Sequence, residues 1–190
     1  MSITIKNVSD YLEKIAPLNQ AEDFDNVGLL IGNETTEVKG ILVTLDTLEE
    51  TIDEAIKKNC NLIISFHPII FNGLKKINGN SYVERVVLKA IQNNIAIYAT
   101  HTALDNSKIG VSAKMCEVLG LTNYSILLPK EDSSIGMGMI GDLPEPMLED
   151  DFLTFTKKTF KTNGIRFSSK TGKHIKKVAV LGGSGSFAIS

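Results

Sequence analysis

The run NLIISFHP, residues 61–68, decides the reading of this chain. Leu62, Ile63, Ile64 and Phe66 form a short apolar run rich in β-branched residues and closed by Pro68. Such a run reads as a strand buried on both faces. Two runs of the same kind lie on either side of it, GILVTLD (40–46) and IAIYAT (95–100). Between the first two strands, Thr47 is predicted to cap a helix reaching Lys58, with Leu48, Ile52, Ala55 and Ile56 on one face. Ser81 to Gln92 is a second helix carrying Val83, Val86, Val87 and Ala90, and Ser107 to Leu119, closed by Gly120, is a third. Apolar strands alternating with amphipathic helices predict an α/β fold, a mostly parallel sheet flanked by helices on both faces. Right-handed crossovers bring the carboxyl ends of such strands to one edge, so Asp46, His67 and His101 are expected to share it.

Before this block, Asn7 to Ile15 is predicted as a short helix capped by Ser9 or Asn7, with Val8, Leu12 and Ile15 at helical spacing and Pro17 beyond its end. Residues 19–33 read as loop. After the block, Pro129, the GMGMIG run (136–141), Pro144 and Pro146 make 129–148 look loop-rich and strand-poor, a boundary. The expected organisation is an N-terminal α/β lobe over 1–128, a linker over 129–148 and the start of a second α/β lobe over 149–190. In that second lobe Asp150 to Phe160 reads as a helix burying Phe152, Phe155 and Phe160, Ile165 to Phe167 as a short strand, and Lys177 to Leu181 as a strand. The latter runs into GGSGS (182–186), which matches neither GxGxxG nor the Walker pattern and reads as a tight turn more than as a phosphate cradle. A helix normally follows such a turn, so the second lobe reads as incomplete at Ser190.

Composition removes several functional classes. Net charge is −2 with both signs interspersed, which gives no electrostatic case for nucleic-acid or anionic-membrane partners. The two cysteines, Cys60 and Cys116, lack the CxxC spacing of a metal knuckle or redox dithiol. The N-terminus lacks the pattern of a secretory signal, and no run reaches the ~18 apolar residues of a membrane span. A cytoplasmic location is the expectation. No GxSxG elbow is present, and no cysteine lies beside a base. Glu49-Glu50 and Asp150-Asp151 fall at helix starts, where they complement the helix dipole, and His174 lies in a Lys/Gly-rich loop.

The chemistry concentrates at the strand ends. His67 sits directly before Pro68, which biases it toward an extended backbone, and His101 follows the third strand, with Asp105 four residues on. Two imidazoles and a carboxylate are a ligand set for Zn, Mn, Fe or a similar divalent ion. Asp105 equally suits a turn or cap beside Asn106 and Ser107.

These segments resemble the NIF-three-like (NGG-interacting-factor-three-like) family of dinuclear-metal proteins, whose bacterial members are known as GTP cyclohydrolase I type 2 homologues. Asp25-Asn26-Val27-Gly28-Leu29 is similar to the family's W-D-N-x-G-L element, with Phe24 in place of Trp. LIISFHPIIF (62–71) is similar to its strand and His-His-Pro motif, THTALD (100–105) to its T-H-T-x-L-D motif, and 177–187 to its V-A-V-x-G-G-x-G segment. The resemblance implies an α/β fold with one or two divalent metals per chain, commonly in a toroidal homohexamer. It makes His67 and Asp105 metal ligands, and His101 a ligand or a proton-transferring neighbour. Phe66 stands where many members carry the first histidine of the pair, and it cannot coordinate. A further His and Glu of the family, four residues apart beyond the Gly-rich turn, have no counterpart before Ser190. The implied activity is that of a metal-dependent hydrolase-like enzyme on a nucleotide or other phosphorylated small molecule. The alternative is a ring-forming, non-enzymatic metal-binding scaffold or regulatory protein.

Overall fold

In the computed structural model, which describes residues 2–189, the chain divides after Leu104 into two units. The first is built on the three predicted strands. β2 (Ile41–Thr44), β3 (Leu62–Ser65) and β4 (Ala96–Ala99) run parallel, with Val43, Ile64 and Tyr98 in register across them. A fourth strand, β1 (Gly28–Ile31), pairs antiparallel with β4, so the sheet is mixed, in the order β1-β4-β3-β2. It falls inside the 19–33 passage expected to be loop. Only four residues long and bracketed by glycines, it shows no period that a sequence reading can catch. Gly32 is there because β1 presses close on β4. Its φ is +115°, and a Cβ would lie 2.5 Å from the Cβ of Ala96.

The sheet residues alternate between two apolar clusters, as a pleated strand requires. Ile63 and Ile97 pack with Ile52 and Ala55 of α2 (Glu49–Lys57) and with Val86, Val87 and Ala90 of α3 (Tyr82–Gln92). Leu62, Ala96 and Tyr98 pack with Ile5, Val8 and Leu12 of α1 (Ile5–Ile15). Each fully buried Ile or Val contributes about 1.5–3 kcal/mol. Ser81, the first residue of the predicted second helix, is the cap of α3, its hydroxyl accepting from Glu84 N–H. The two predicted caps differ from expectation. Thr4, not Ser9 or Asn7, caps α1, and Asn7 returns the bond from the N3 position to close a capping box. Thr47 does not cap α2. It is buried, Leu48 takes the N-cap position, and Thr51 Oγ1 accepts from Leu48 N–H. A helical segment missing from the sequence reading, α4 (His101–Asp105), follows β4 at once.

The second unit holds α5 (Val111–Val118), β5 (Thr122–Pro129), β6 (Gly136–Met147), α6 (Glu149–Thr159) and β7 (Ile175–Val180). The strands form an antiparallel sheet in the order β5-β6-β7, and the core joins Ala113, Cys116 and Leu119 to Met139, Leu143, Val178 and Val180. The expected linker over 129–148 is therefore corrected, because it carries the longest strand described. Its glycines mark close approach: a Cβ at Gly136 would lie 2.2 Å from the carbonyl oxygen of Leu128. Its prolines, Pro144 and Pro146, fall where the β6–β7 register breaks between Asp142 and Met147, the place in a sheet that tolerates them. The third predicted helix starts at Val111 after Gly110, four residues later than expected. In α6, Phe152 and Phe155 pack on the core, but Phe160 lies past the helix end and is exposed. Ile165 to Phe167 forms no strand, and a 3-10 turn over Gly185–Ala188 begins within the glycine-rich segment.

Candidate functional site

The ladder of β2, β3 and β4 continues one step past the strand ends, and this places the histidines. Phe66 N–H donates to Thr44 O (3.0 Å) and His67 N–H to Leu45 O (3.0 Å). On the next strand, Thr100 N–H donates to Ser65 O (3.1 Å) and His101 N–H to Phe66 O (2.9 Å). Asp46, His67 and His101 thus reach one edge, as the topology predicted. The His67 and His101 rings stand 5.5 Å apart, centre to centre, at 75°.

Each imidazole has its own carboxylate. His67 Nδ1 lies 2.7 Å from Asp46 Oδ1, a half-exposed pair. His101 Nδ1 lies 2.8 and 2.9 Å from the two oxygens of Asp25, whose side chain is 0% exposed. A carboxylate facing Nδ1 holds the proton there and leaves the Nε2 lone pair for a metal or a proton. Asp25 is the better supported. It also accepts from the Thr102 N–H (3.1 Å), the Thr102 hydroxyl and the Asn26 N–H (2.8 Å). Burial pushes the Asp25 carboxyl up, but the bonds from Thr102, His101 and Asn26 outweigh it and hold its pKa below the ordinary carboxylate value. Asn26 Nδ2 donates to Ile70 O and ties this loop to the segment after β3.

His101 carries backbone strain, with φ +26° in a region a non-glycine residue rarely occupies. The ladder bond to Phe66 O and the bonds of Asp25 to both His101 and Thr102 hold it there. Strain kept in place by its surroundings is common at functional sites.

Aromatic rings close around the pair. Phe66 meets His67 at 5.0 Å and His101 at 5.5 Å, both edge-to-face. Phe71 meets His101 at 6.1 Å, and Phe24 meets Phe71 at 6.3 Å.

Of the three ligands expected from sequence, His67 and His101 come together. Asp105 closes α4, one helical turn after His101. Among the described residues, three or more His, Cys, Asp or Glu side chains are nowhere grouped so as to hold a metal ion. His174 is exposed, as expected. Sequence reasoning missed the parts played by Asp25 and Asp46. Asp46 had a signal, since it ends its apolar run as the histidines end theirs. Asp25 had only its place beside Asn26 and Gly28. Among the described residues no helix is long and apolar enough to cross a membrane.

Residues 3–190 match the family described as Duf34/NIF3 (NGG1p interacting factor 3). A Clostridium acetobutylicum protein named GTP cyclohydrolase 1 type 2 homolog is 37% identical over 187 residues, 97% of this chain and 70% of that protein. The crystal structure of a Staphylococcus aureus hypothetical protein matches with a TM-score of 0.91 at 31% identity, over 98% of this chain and 74% of that one. A Bacillus cereus protein related to NIF3 matches with a TM-score of 0.89 at 25% identity, over 97% of this chain and 77% of that one.

Proposed function

The chain belongs to the Duf34/NIF3 family, and from that premise we propose that it is a divalent-metal-binding protein acting as a metal-dependent hydrolase-like enzyme on a nucleotide or other phosphorylated small molecule. The observation that carries this is the pair of adjacent imidazoles, each with Nδ1 committed to a carboxylate. Metal-ligating histidines almost always carry such a partner, which fixes ring and tautomer.

By donor type the residues suit a divalent ion, although among the described residues they are not gathered into one three-donor cluster. His67 and His101 offer nitrogen, and Asp105 would add a carboxylate, a set suited to Zn, Mn or Fe. Phe66 offers no donor, so the imidazole pair provides for one ion rather than two. A bound divalent ion supplies hydroxide near neutral pH by lowering the pKa of its water. The chain's own residues do the rest. Asp46 and Asp25 orient His67 and His101, Phe66 packs edge-on against both rings, and His101 holds or passes a proton at Nε2 when not a ligand. The substrate class is supported by the nucleotide in the name of the Clostridium acetobutylicum relative.

The proposal includes a homo-oligomer, a hexamer by family resemblance. Support comes from edge strand β2 and the residue after it, where Ile41, Val43 and Leu45 stay exposed. A non-enzymatic metal-binding scaffold is the second reading, favoured by the ligand position that Phe66 fills without a donor. Metal content by inductively coupled plasma mass spectrometry tests the main proposal. The parent protein should carry a divalent metal that His67→Ala and Asp105→Ala each lose, and unchanged content in both variants would sink it. Chelator-sensitive hydrolysis across a nucleotide panel separates enzyme from scaffold.

A further inference from the structure

Two large aromatic side chains beside the imidazole pair stay in solvent. Phe24 is 66% exposed and Phe71 is 45% exposed, and their rings contact each other at 6.3 Å and 57°. Neither joins an apolar core cluster, so the fold does not explain them. Their placement is nevertheless fixed. Phe24 directly precedes Asp25, the carboxylate that holds His101, and Phe71 directly follows Ile70, whose carbonyl accepts from Asn26 Nδ2. One hydrogen bond thus clasps the two segments that present the rings. Phe71 also stands edge-on to His101 at 6.1 Å and 80°, so the aromatic surface is continuous with the imidazoles.

We infer that Phe24 and Phe71 form a stacking wall for a planar heteroaromatic ring, and so set which substrate reaches the histidines. Exposed aromatic faces take such rings by offset stacking whatever base is carried, because every base has a π-face. The two Phe rings already touch and are tilted, so the ligand lies against their outer surface and is not sandwiched between them. The exposed segment that begins with Phe71 also carries Lys75 and Lys76, both in solvent, which suits an anionic substituent on the ring and disfavours a bare alkyl chain. The inference deepens the hydrolase reading, since the wall adjoins residues assigned there as ligands.

The test compares adenosine and guanosine monophosphates with ribose 5-phosphate, which lacks the ring, by isothermal titration and saturation-transfer NMR. Both nucleotides should bind, with base protons showing transfer, and at least about tenfold more tightly than ribose 5-phosphate. Phe24→Ala and Phe71→Ala should each weaken the nucleotides about tenfold and leave ribose 5-phosphate unchanged. Phe24→Trp and Phe71→Trp should retain binding, which guards against a folding defect. Equal affinity with and without the base overturns the inference, as does parent-like nucleotide binding by the Ala variants. So does a change in sedimentation of the Ala variants without a change in nucleotide affinity, which would make the rings a contact between copies. Metal content is read in the same samples. Base discrimination through Phe71 in a protein that takes up no metal leaves the wall and removes the metal reading, and metal uptake without base discrimination does the reverse.

Discussion

Replacing Asp25 tests the central geometry most severely. Its shielded carboxylate receives the His101 ring, the Thr102 N–H, the Thr102 hydroxyl and the Asn26 N–H. Asp25→Ala removes the acceptor and leaves these donors unpaired in a site with little water. Each buried donor without a partner costs about 1–3 kcal/mol. With several such donors we expect about 3–5 kcal/mol of lost stability, which for a chain of this size lowers Tm by about 6–20 °C. Asp25→Asn keeps the shape and one acceptor but turns an amide N–H₂ toward donors, so its Tm loss should be smaller. Its effect on metal should still be large, because His101 loses its charged partner, and loss of such a partner weakens metal affinity about 10–100-fold. Circular dichroism melts and zinc titration against a competing chelating dye read the two effects separately. A D25N protein with parent zinc affinity would refute the assignment of Asp25 as the group that positions His101. A D25A protein with parent Tm would refute the energetic argument.

Asp46 provides the contrast. Its pair with His67 is half exposed, so Asp46→Ala should change Tm by no more than about 0–1 kcal/mol allows, while zinc affinity still falls; a Tm loss as large as that of D25A would contradict this. Gly32→Ala should destabilise strongly, because it adds both a positive φ and a Cβ 2.5 Å from that of Ala96; a urea midpoint equal to the parent's would refute the close approach of β1 and β4. Burial, with Glu13 adding to it, pushes the Tyr98 phenol up to about 12. Its folded pKa lies above its unfolded value near 10, so its contribution is complete below about pH 10 and lost as pH rises toward about 12, close to 3 kcal/mol in all. Tyr98→Phe should flatten the alkaline limb of a stability–pH curve, and an unchanged limb would count against it.

The parallel block was legible because its signals were local and strong. β-branched runs at 40–46, 61–66 and 95–100 alternate with helical apolar spacing, and a crossover rule then puts Asp46, His67 and His101 on one edge. Strand β1 was not legible, since it pairs with a strand nearly seventy residues away and is defined by that contact rather than by its own four residues. The β5-β6 hairpin was misread because glycine and proline look the same in sequence whether they make a loop or allow close strand packing. Only the partner strand tells, as the Leu128 carbonyl does for Gly136. At the site, the histidines were visible because they end apolar runs. Asp25 was silent, because its role depends on a loop folding back across 76 residues of sequence to reach His101.

That dependence bears on what Phe66 does. The backbone of residue 66 is part of the scaffold whichever side chain it bears: its N–H pairs with Thr44 and its carbonyl holds the strained His101. A ligand histidine at that position would add a donor without being needed for the ladder. Phe66 keeps that backbone role and leaves the two imidazoles in place, with its ring packed edge-on against both. The strained His101 is the more demanding element, because nothing local favours φ +26°. It persists through the sum of a ladder bond, a buried carboxylate and the Thr102 bonds that fix that carboxylate. The buried Asp25 carboxylate therefore does two things at once: it satisfies the donors of Thr102 and Asn26, and it fixes the position and tautomer of the His101 ring.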